Sequence, residues 1–395
     1  MSVASASPRW VLGALFASSL GVGLIFGFQP PLIALTLNRG GASSFAIGAV
    51  TAVSLVTVIL LGPLYPRMIA KLGLKSCVVG GIGFAALILL AMGLWPSVGI
   101  WLALRCVSGC VLGLAWIASE VWMNAASDDA SRGTVMGIYG TVFSLGVVGG
   151  PILLEFTGTR GWQPFVYGAL CLILTTLPIA ALRAVKADEQ TPAPLASLAR
   201  AARVAPVVML AAVVAGLVES ADLALLPLFG LHAGLGERDC LLLVTVFMVG
   251  NVLLQMPIGL LADRFGRRSI LAWCAVLSAL GPLLLPVCID IPTLLGPLLF
   301  VWGGTLYAFY SQGIAVMGEE FPASELAAAN TVFVMVYCTG GVIGPSLGGF
   351  AMDLWPRAGL SAILCAAPLL LLAGLARSAY SVRRLQVRQG DPDGG

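Results

Sequence analysis

Apolar runs of bilayer-spanning length follow one another along almost the whole chain, and no other feature of the sequence restricts its fold so strongly. A helix needs about 20 apolar residues to cross a bilayer, and only helices or closed barrels satisfy their own backbone polar groups there. Charge clusters and Gly/Pro punctuation mark off twelve such runs. They lie near 10–37, 44–68, 74–94, 97–122, 132–157 and 160–183, then near 205–230, 240–262, 267–289, 293–317, 324–350 and 354–377. The first is too long for a signal-peptide core and is read as retained. An all-α membrane protein with twelve transmembrane helices is expected, with the lipid bilayer as its solvent. Lys, Arg, Asp and Glu make up only 10% of the chain, against about 25% in a soluble domain. That leaves too little charged surface for a soluble enzyme. A net charge of +3 provides no basic stripe for nucleic acid.

Orientation follows from the basic residues. With the N-terminus inside, sixteen of the 21 Lys and Arg fall in cytoplasmic segments, among them Arg67, Lys71, Arg264, Arg267 and Arg268. Four, Arg39, Arg160, Arg238 and Arg357, fall outside, and Arg105 lies within a span. The positive-inside rule then places both termini in the cytoplasm. The nine cysteines form no CxxC pair and sit almost entirely in spans, where packing explains them.

The chain repeats itself. KLGLKS at Lys71 to Ser76 aligns with RFGRRS at Arg264 to Ser269, GVVGGP at Gly146 to Pro151 with GGVIGP at Gly340 to Pro345, and Pro31–Leu32 with Pro227–Leu228. The offsets are 193, 194 and 196 residues. Each repeat holds an even number of spans, so both enter from the same side and form two six-helix pseudo-symmetric halves with a cavity between them. The halves are 1–183 and 205–379, joined by a cytoplasmic linker at 184–204 that carries Lys186, Asp188, Glu189, Pro192 and Pro194; a polar, Gly-rich cytoplasmic tail, 380–395, follows.

Three of these segments carry a resemblance. GLLADRFGRRS, with Gly259, Asp263, Arg264, Gly266, Arg267 and Arg268, resembles the loop signature of the major facilitator superfamily between spans 8 and 9. RCVSGCVLG, with Arg105, Gly109 and Gly113, is similar to that family's span-4 pattern, and GGVIGPSLGG, with Gly344 and Pro345, to its GPxxGG antiporter pattern. The chain looks like a member of a small bacterial branch. The resemblance implies the two-halved fold of that superfamily, a bacterial inner-membrane location and alternating access to a central cavity bordered by spans 1, 4, 7 and 10. Three departures stand out. In the first half Pro66 replaces the loop glycine and Ala70 its acid, and the full GPxxGG pattern stands in span 11. Span 5, which carries the family's antiporter copy, has Gly150–Pro151 followed by Leu154 and Glu155.

Asp263 is a candidate latch that breaks as the halves rock; alternatively the arginines beside it only anchor topology. Gly146, Gly150, Gly340 and Gly344, each pair followed by a proline, make small-xxx-small faces suited to close helix contact.

Charges inside spans are the sharper signal, because each costs at least about 2.5–3.5 kcal/mol on insertion scales. There are five: Arg105, Glu120, Glu155, Glu219 and Asp222. Arg105, Trp116 and Glu120 share one stripe of span 4, and Glu219 and Asp222 are i, i+3 neighbours on span 7. Rise per residue puts Arg105, Glu219 and Asp222 at similar depth. With the family arrangement these three meet across the half-to-half interface, where two acids near a cation form a proton-coupling site; a static charge cluster is the alternative. Glu120 is a second candidate, near the inner side, and Glu155 an interface residue paired with Arg160.

Candidates for substrate contact are Gln29, beside a break in span 1 at Pro30–Pro31, then Trp116 and Glu120 on span 4, and Trp302, Tyr307, Tyr310 and Gln312 on span 10. Singly each is more often packing; together they suit a small amphipathic organic solute. No cofactor, metal site or catalytic group is expected. The sole histidine, His232, lies in an outer loop, and there is no GxxxxGK[ST] loop for ATP. A monomeric, proton-coupled secondary transporter follows, with export favoured on the GPxxGG pattern. Proton symport, passive facilitation and a non-transporting membrane sensor are the alternatives.

Overall fold

The computed structural model describes residues 8–127, 132–182, 205–321 and 323–389, and among them it contains helices and connecting turns with no strand. The first half comprises α1 (Pro8–Arg39), α2 (Ser44–Leu61), α3 (Leu74–Leu94), α4 (Val98–Ala125), α5 (Arg132–Thr157) and α6 (Gln163–Ala180). The second comprises α7 (Pro206–His232), α8 (Glu237–Phe265), α9 (Arg267–Cys288), α10 (Pro292–Glu320), α11 (Ala323–Leu354) and α12 (Gly359–Gln389). Among the described residues, twelve helices are long and apolar enough to cross a membrane. The linker at 184–204 lies outside the described residues. Helix α12 continues into the polar tail as far as Gln389.

Two spans depart from the expected outline, both at prolines. Span 2 does not run on unbroken to residue 68. Pro63 and Pro66 lack a backbone donor, and α2 ends at Leu61, followed by a 3-10 turn (Gly62–Leu64) and a short helix (Tyr65–Leu72). Span 1, expected to break at Pro30–Pro31, instead stays helical through both to Arg39. The prolines leave the carbonyls four residues back, Phe26 and Gly27, without their helical donors.

Pairings within the two halves match. Helix α1 packs on α5 and α6, α4 on α2 and α3, and α3 on α6. In parallel, α7 packs on α11 and α12, α10 on α8 and α9, and α9 on α12. Glycine sets the closest contacts. A Cβ at Gly146 or Gly150 would overlap α1 backbone, and one at Gly340 or Gly344 would overlap the Val213 or Leu217 carbonyl of α7. Two repeated motifs thus make the same contact in each half. Gly109 lies against Ser54 backbone and Gly113 against Tyr65 and Val58. The repeated loops also match: Gly73 (φ 81°) and Gly266 (φ 89°) both take a left-handed conformation that L side chains avoid.

The halves meet along α2–α11, α5–α8 and α1–α7. The α2–α11 seam is made of glycine, with Gly48 on the Pro345 carbonyl and Gly349 on the Ser44 carbonyl. At the matching positions of α5 stand Leu154 and Glu155, and the α5–α8 seam is held by charge instead. Outward-facing side chains complete the picture. Phe156 is 83% exposed and Met256 73%, and Leu60, Leu87, Trp273 and Val287 are also exposed. So broad an apolar exterior suits lipid and not water.

Candidate functional site

Where the halves meet, α1, α2, α4, α7 and α11 enclose a cavity of ≈ 70 Å³. Its polar lining comes from Gln29, Thr51, Ser54, Arg105, Ser220 and Trp116, and Phe26, Leu112 and Leu223 are among its apolar walls. Helix α4 brings Arg105 there because Gly109, one turn on, lets α2 approach to backbone contact.

Arg105 is only 7% exposed. Its Nη1 donates to Gln29 Oε1 at 2.5 Å, and Nη2 to Ser54 Oγ at 2.7 Å and the Thr51 carbonyl at 3.2 Å. Nε donates to the Val50 carbonyl at 3.4 Å. All four partners are neutral oxygens of α1 and α2. Four hydrogen bonds in a low dielectric offset much of the insertion cost of a buried guanidinium.

The two acids of α7 are arranged differently from the expected cluster. Glu219 Oε2 accepts from the Tyr337 hydroxyl of α11 at 2.8 Å. Asp222 is fully buried, and neither carboxylate oxygen has a hydrogen-bond partner among the described residues. No ion pair joins either acid to Arg105 among those residues, because the guanidinium spends its reach on α1 and α2. Of these three charges only Arg105 lines the cavity; α7 contributes Ser220 and Leu223 to it, and Glu219 and Asp222 are not part of the lining.

The other candidates divide. Trp116 Nε1 donates to Glu120 Oε1 at 2.9 Å, and its ring stacks on Phe143 with centroids 6.4 Å apart. Trp302 is 1% exposed and turned into the second half's own core, edge-on to Phe247 at 5.1 Å. Tyr310 packs edge-on to Phe333 and Tyr337. Gln312 is buried but is not part of the cavity lining, and the side chain of Tyr307 lies outside the described residues. Asp263 meets Arg267 at 3.6 Å within its own loop, and Arg264 sits over the Phe265 ring at 5.4 Å.

Contacts across the halves concentrate at the basic-poor end. Glu155 pairs with Arg238 of α8 at 2.7 Å, not with Arg160 as its sequence neighbourhood suggests. Arg160 and Arg39 both pair with Glu237, at 3.2 and 3.0 Å, and Thr159 also donates to Glu237. Asp353, at the end of α11, accepts from the backbone N–H groups of Ser44 and Phe45 at 2.7 and 3.0 Å, capping the α2 N-terminus from the other half. These two latches are related by the repeat, Ser44 answering to Glu237 and Thr159 to Asp353 at offsets of 193 and 194. Sequence reasoning missed Glu237, Thr159, Asp353, Ser54 and Tyr337. The repeat offset ties the first three together, and Tyr337 stands one helical turn before Gly341.

Residues 11–242 and 239–392 match the sequence model of the Major Facilitator Superfamily. A Bacillus subtilis (strain 168) protein described as the uncharacterized MFS-type transporter YfkF is 26% identical over 344 residues, covering 85% of this chain and 86% of its own. YcaD of Escherichia fergusonii, similarly described, is 23% identical over 357 residues, 89% of this chain and 91% of its own. Two solved structures share the fold at 14% identity. The nucleoside transporter NupG matches with a TM-score of 0.76 over 94% of this chain and 98% of its own. A bacterial homolog of the human lysosomal transporter Spinster, inward-facing and unoccupied, matches with a TM-score of 0.75 over 94% of each.

Proposed function

The chain belongs to the major facilitator superfamily, and from that premise we propose that it is a proton-coupled secondary transporter of a small organic solute. The observation that carries the reading is a fully buried carboxylate, Asp222, with no hydrogen-bond partner among the described residues, on the same helix that supplies Ser220 and Leu223 to a cavity lined from both halves. An unpartnered carboxylate in an apolar interior is costly as an anion. In this reading Asp222, with Glu219 one turn before it, takes up a proton when occluded and releases it when the cavity opens to water. Arg105 holds positive potential at the same junction. Alternating access proceeds by rocking of the halves about their seams, with the basic-poor end closed in the conformation described. The positive-inside bias assigns that end to the outside of a bacterial inner membrane, both termini being cytoplasmic and the protein monomeric. Export is favoured over import on the GPxxGG pattern of span 11.

Reconstitution tests this. Purified protein in vesicles enclosing a pH-sensitive dye should move protons when a transported solute is added to one side. Asp222→Asn and Glu219→Gln should each abolish or cut that movement while solute exchange without a gradient persists. Proton movement unchanged in both variants rejects the assignment of the acids. Solute flux indifferent to pH throughout favours passive facilitation instead.

A further inference from the structure

Resting on the reading of the central cavity as the transport site, we propose that its solute is an organic monoanion, a carboxylate held by Arg105 and Gln29. Arg105 is the only charged residue among the described residues of the lining, and no acid is among them. Its four described partners are neutral oxygens, so the hydrogen bonds are satisfied while the charge is not balanced. A buried cation in low dielectric gains most from a mobile counter-charge brought into contact with it.

The donors are arranged to receive one. A guanidinium has five N–H groups and no acceptor. Four are engaged, which leaves one on Nη1. Because Arg105 can only donate, Gln29 must face it with Oε1, which turns the Gln29 amide N–H₂ away. That amide has no hydrogen-bond acceptor among the described residues, and Gln29 lines the cavity. Arg105 and Gln29, joined by one hydrogen bond, thus each keep an N–H to donate, and a carboxylate brings two acceptor oxygens. The enclosed ≈ 70 Å³ accommodates such a head group. Phe26, Leu112 and Trp116 supply an apolar and aromatic wall for the body of the molecule once the cavity widens. The lining has one cation, so a dianion brings a charge with no partner, and an amine brings like charge against Arg105.

Binding to the purified full-length protein tests this without any gradient. Benzoate and octanoate are compared with benzamide, octanamide and benzylamine at neutral pH, following thermal midpoint and tryptophan fluorescence. At least one carboxylate should stabilise the protein, with its amide about tenfold weaker or more. Arg105→Gln should erase the preference. If that variant does not fold, Gln29→Leu, which keeps the cation and removes one donor, should weaken carboxylate binding about tenfold. Neutral or cationic probes binding as well as the carboxylates overturns the proposal. So does failure of both carboxylates to bind, or carboxylate binding unchanged in Gln29→Leu. Carboxylate binding without proton movement in vesicles removes only the coupling; proton movement driven by neutral solutes, with carboxylates ignored, removes only the anion site.

Discussion

Two buried ionisable residues at the centre of the molecule are treated in opposite ways. Arg105 is surrounded by acceptors from α1 and α2, whereas Asp222 has no donor to either oxygen among the described residues. A structural polar group is normally satisfied, and leaving one unsatisfied costs about 1–3 kcal/mol. Asp222→Leu, which keeps the branching of the side chain and removes its polar atoms, should therefore raise stability by about 1–3 kcal/mol while abolishing pH-driven transport. Thermal unfolding in detergent measures the first and vesicle flux the second; loss of stability would mean that Asp222 has a partner in the folded protein. That both residues are special was legible in the sequence, because charge in an apolar span is costly wherever it points. What surrounds each was not legible, because Ser54, which accepts from Arg105, and Tyr337, which donates to Glu219 and not to Asp222, are ordinary residues brought into reach only by helix packing.

At the scale of helices, glycine spacing decides which faces touch. Gly149 and Gly150 are adjacent on α5, yet a Cβ at Gly149 meets open space and one at Gly150 overlaps α1 backbone. Gly149→Ala should be neutral or stabilising by up to about 1 kcal/mol, the helix-propensity difference. Gly150→Ala forces the helices apart and should lower the thermal midpoint clearly, with Gly344→Ala doing the same against α7. Size-exclusion profiles after a heating series distinguish the three variants, and equal behaviour of Gly149→Ala and Gly150→Ala would count against the packing. The GxxxGP motifs could be found from spacing alone, whereas which helix each would meet could not. Prolines show the same limit. Pro63 and Pro66 interrupt span 2, while Pro30 and Pro31 leave α1 helical to Arg39, and the residue type is the same in both places.

For the molecule as a whole, the α2–α11 and α5–α8 seams between the halves are built differently. Glycine lies along α2–α11, and ion pairs with a carboxylate cap bind the basic-poor end. Arg160 and Arg238 are mostly exposed, with side chains at 79% and 82%, so each of their pairs contributes about 0–1 kcal/mol. Losing one should change the open-to-closed ratio at that end by no more than about fivefold. Asp353→Ala removes two charge-assisted bonds at once and leaves the α2 N-terminus uncapped, so it should open that end more than Glu155→Gln does. Spin-label distances between the basic-poor ends of α2 and α11 report the difference, and an unchanged distribution in Asp353→Ala would remove the latch. Twelve helices, two repeated halves and their motif glycines were determined by the sequence by itself, because a bilayer imposes span length and a duplicated chain keeps its pattern. The cavity lining, the neutral cradle of Arg105, the isolation of Asp222 and the cross-half latches were decided only by the tertiary structure. Each depends on which helix face meets which across the junction, and a span of nearly uniform hydropathy does not declare its faces.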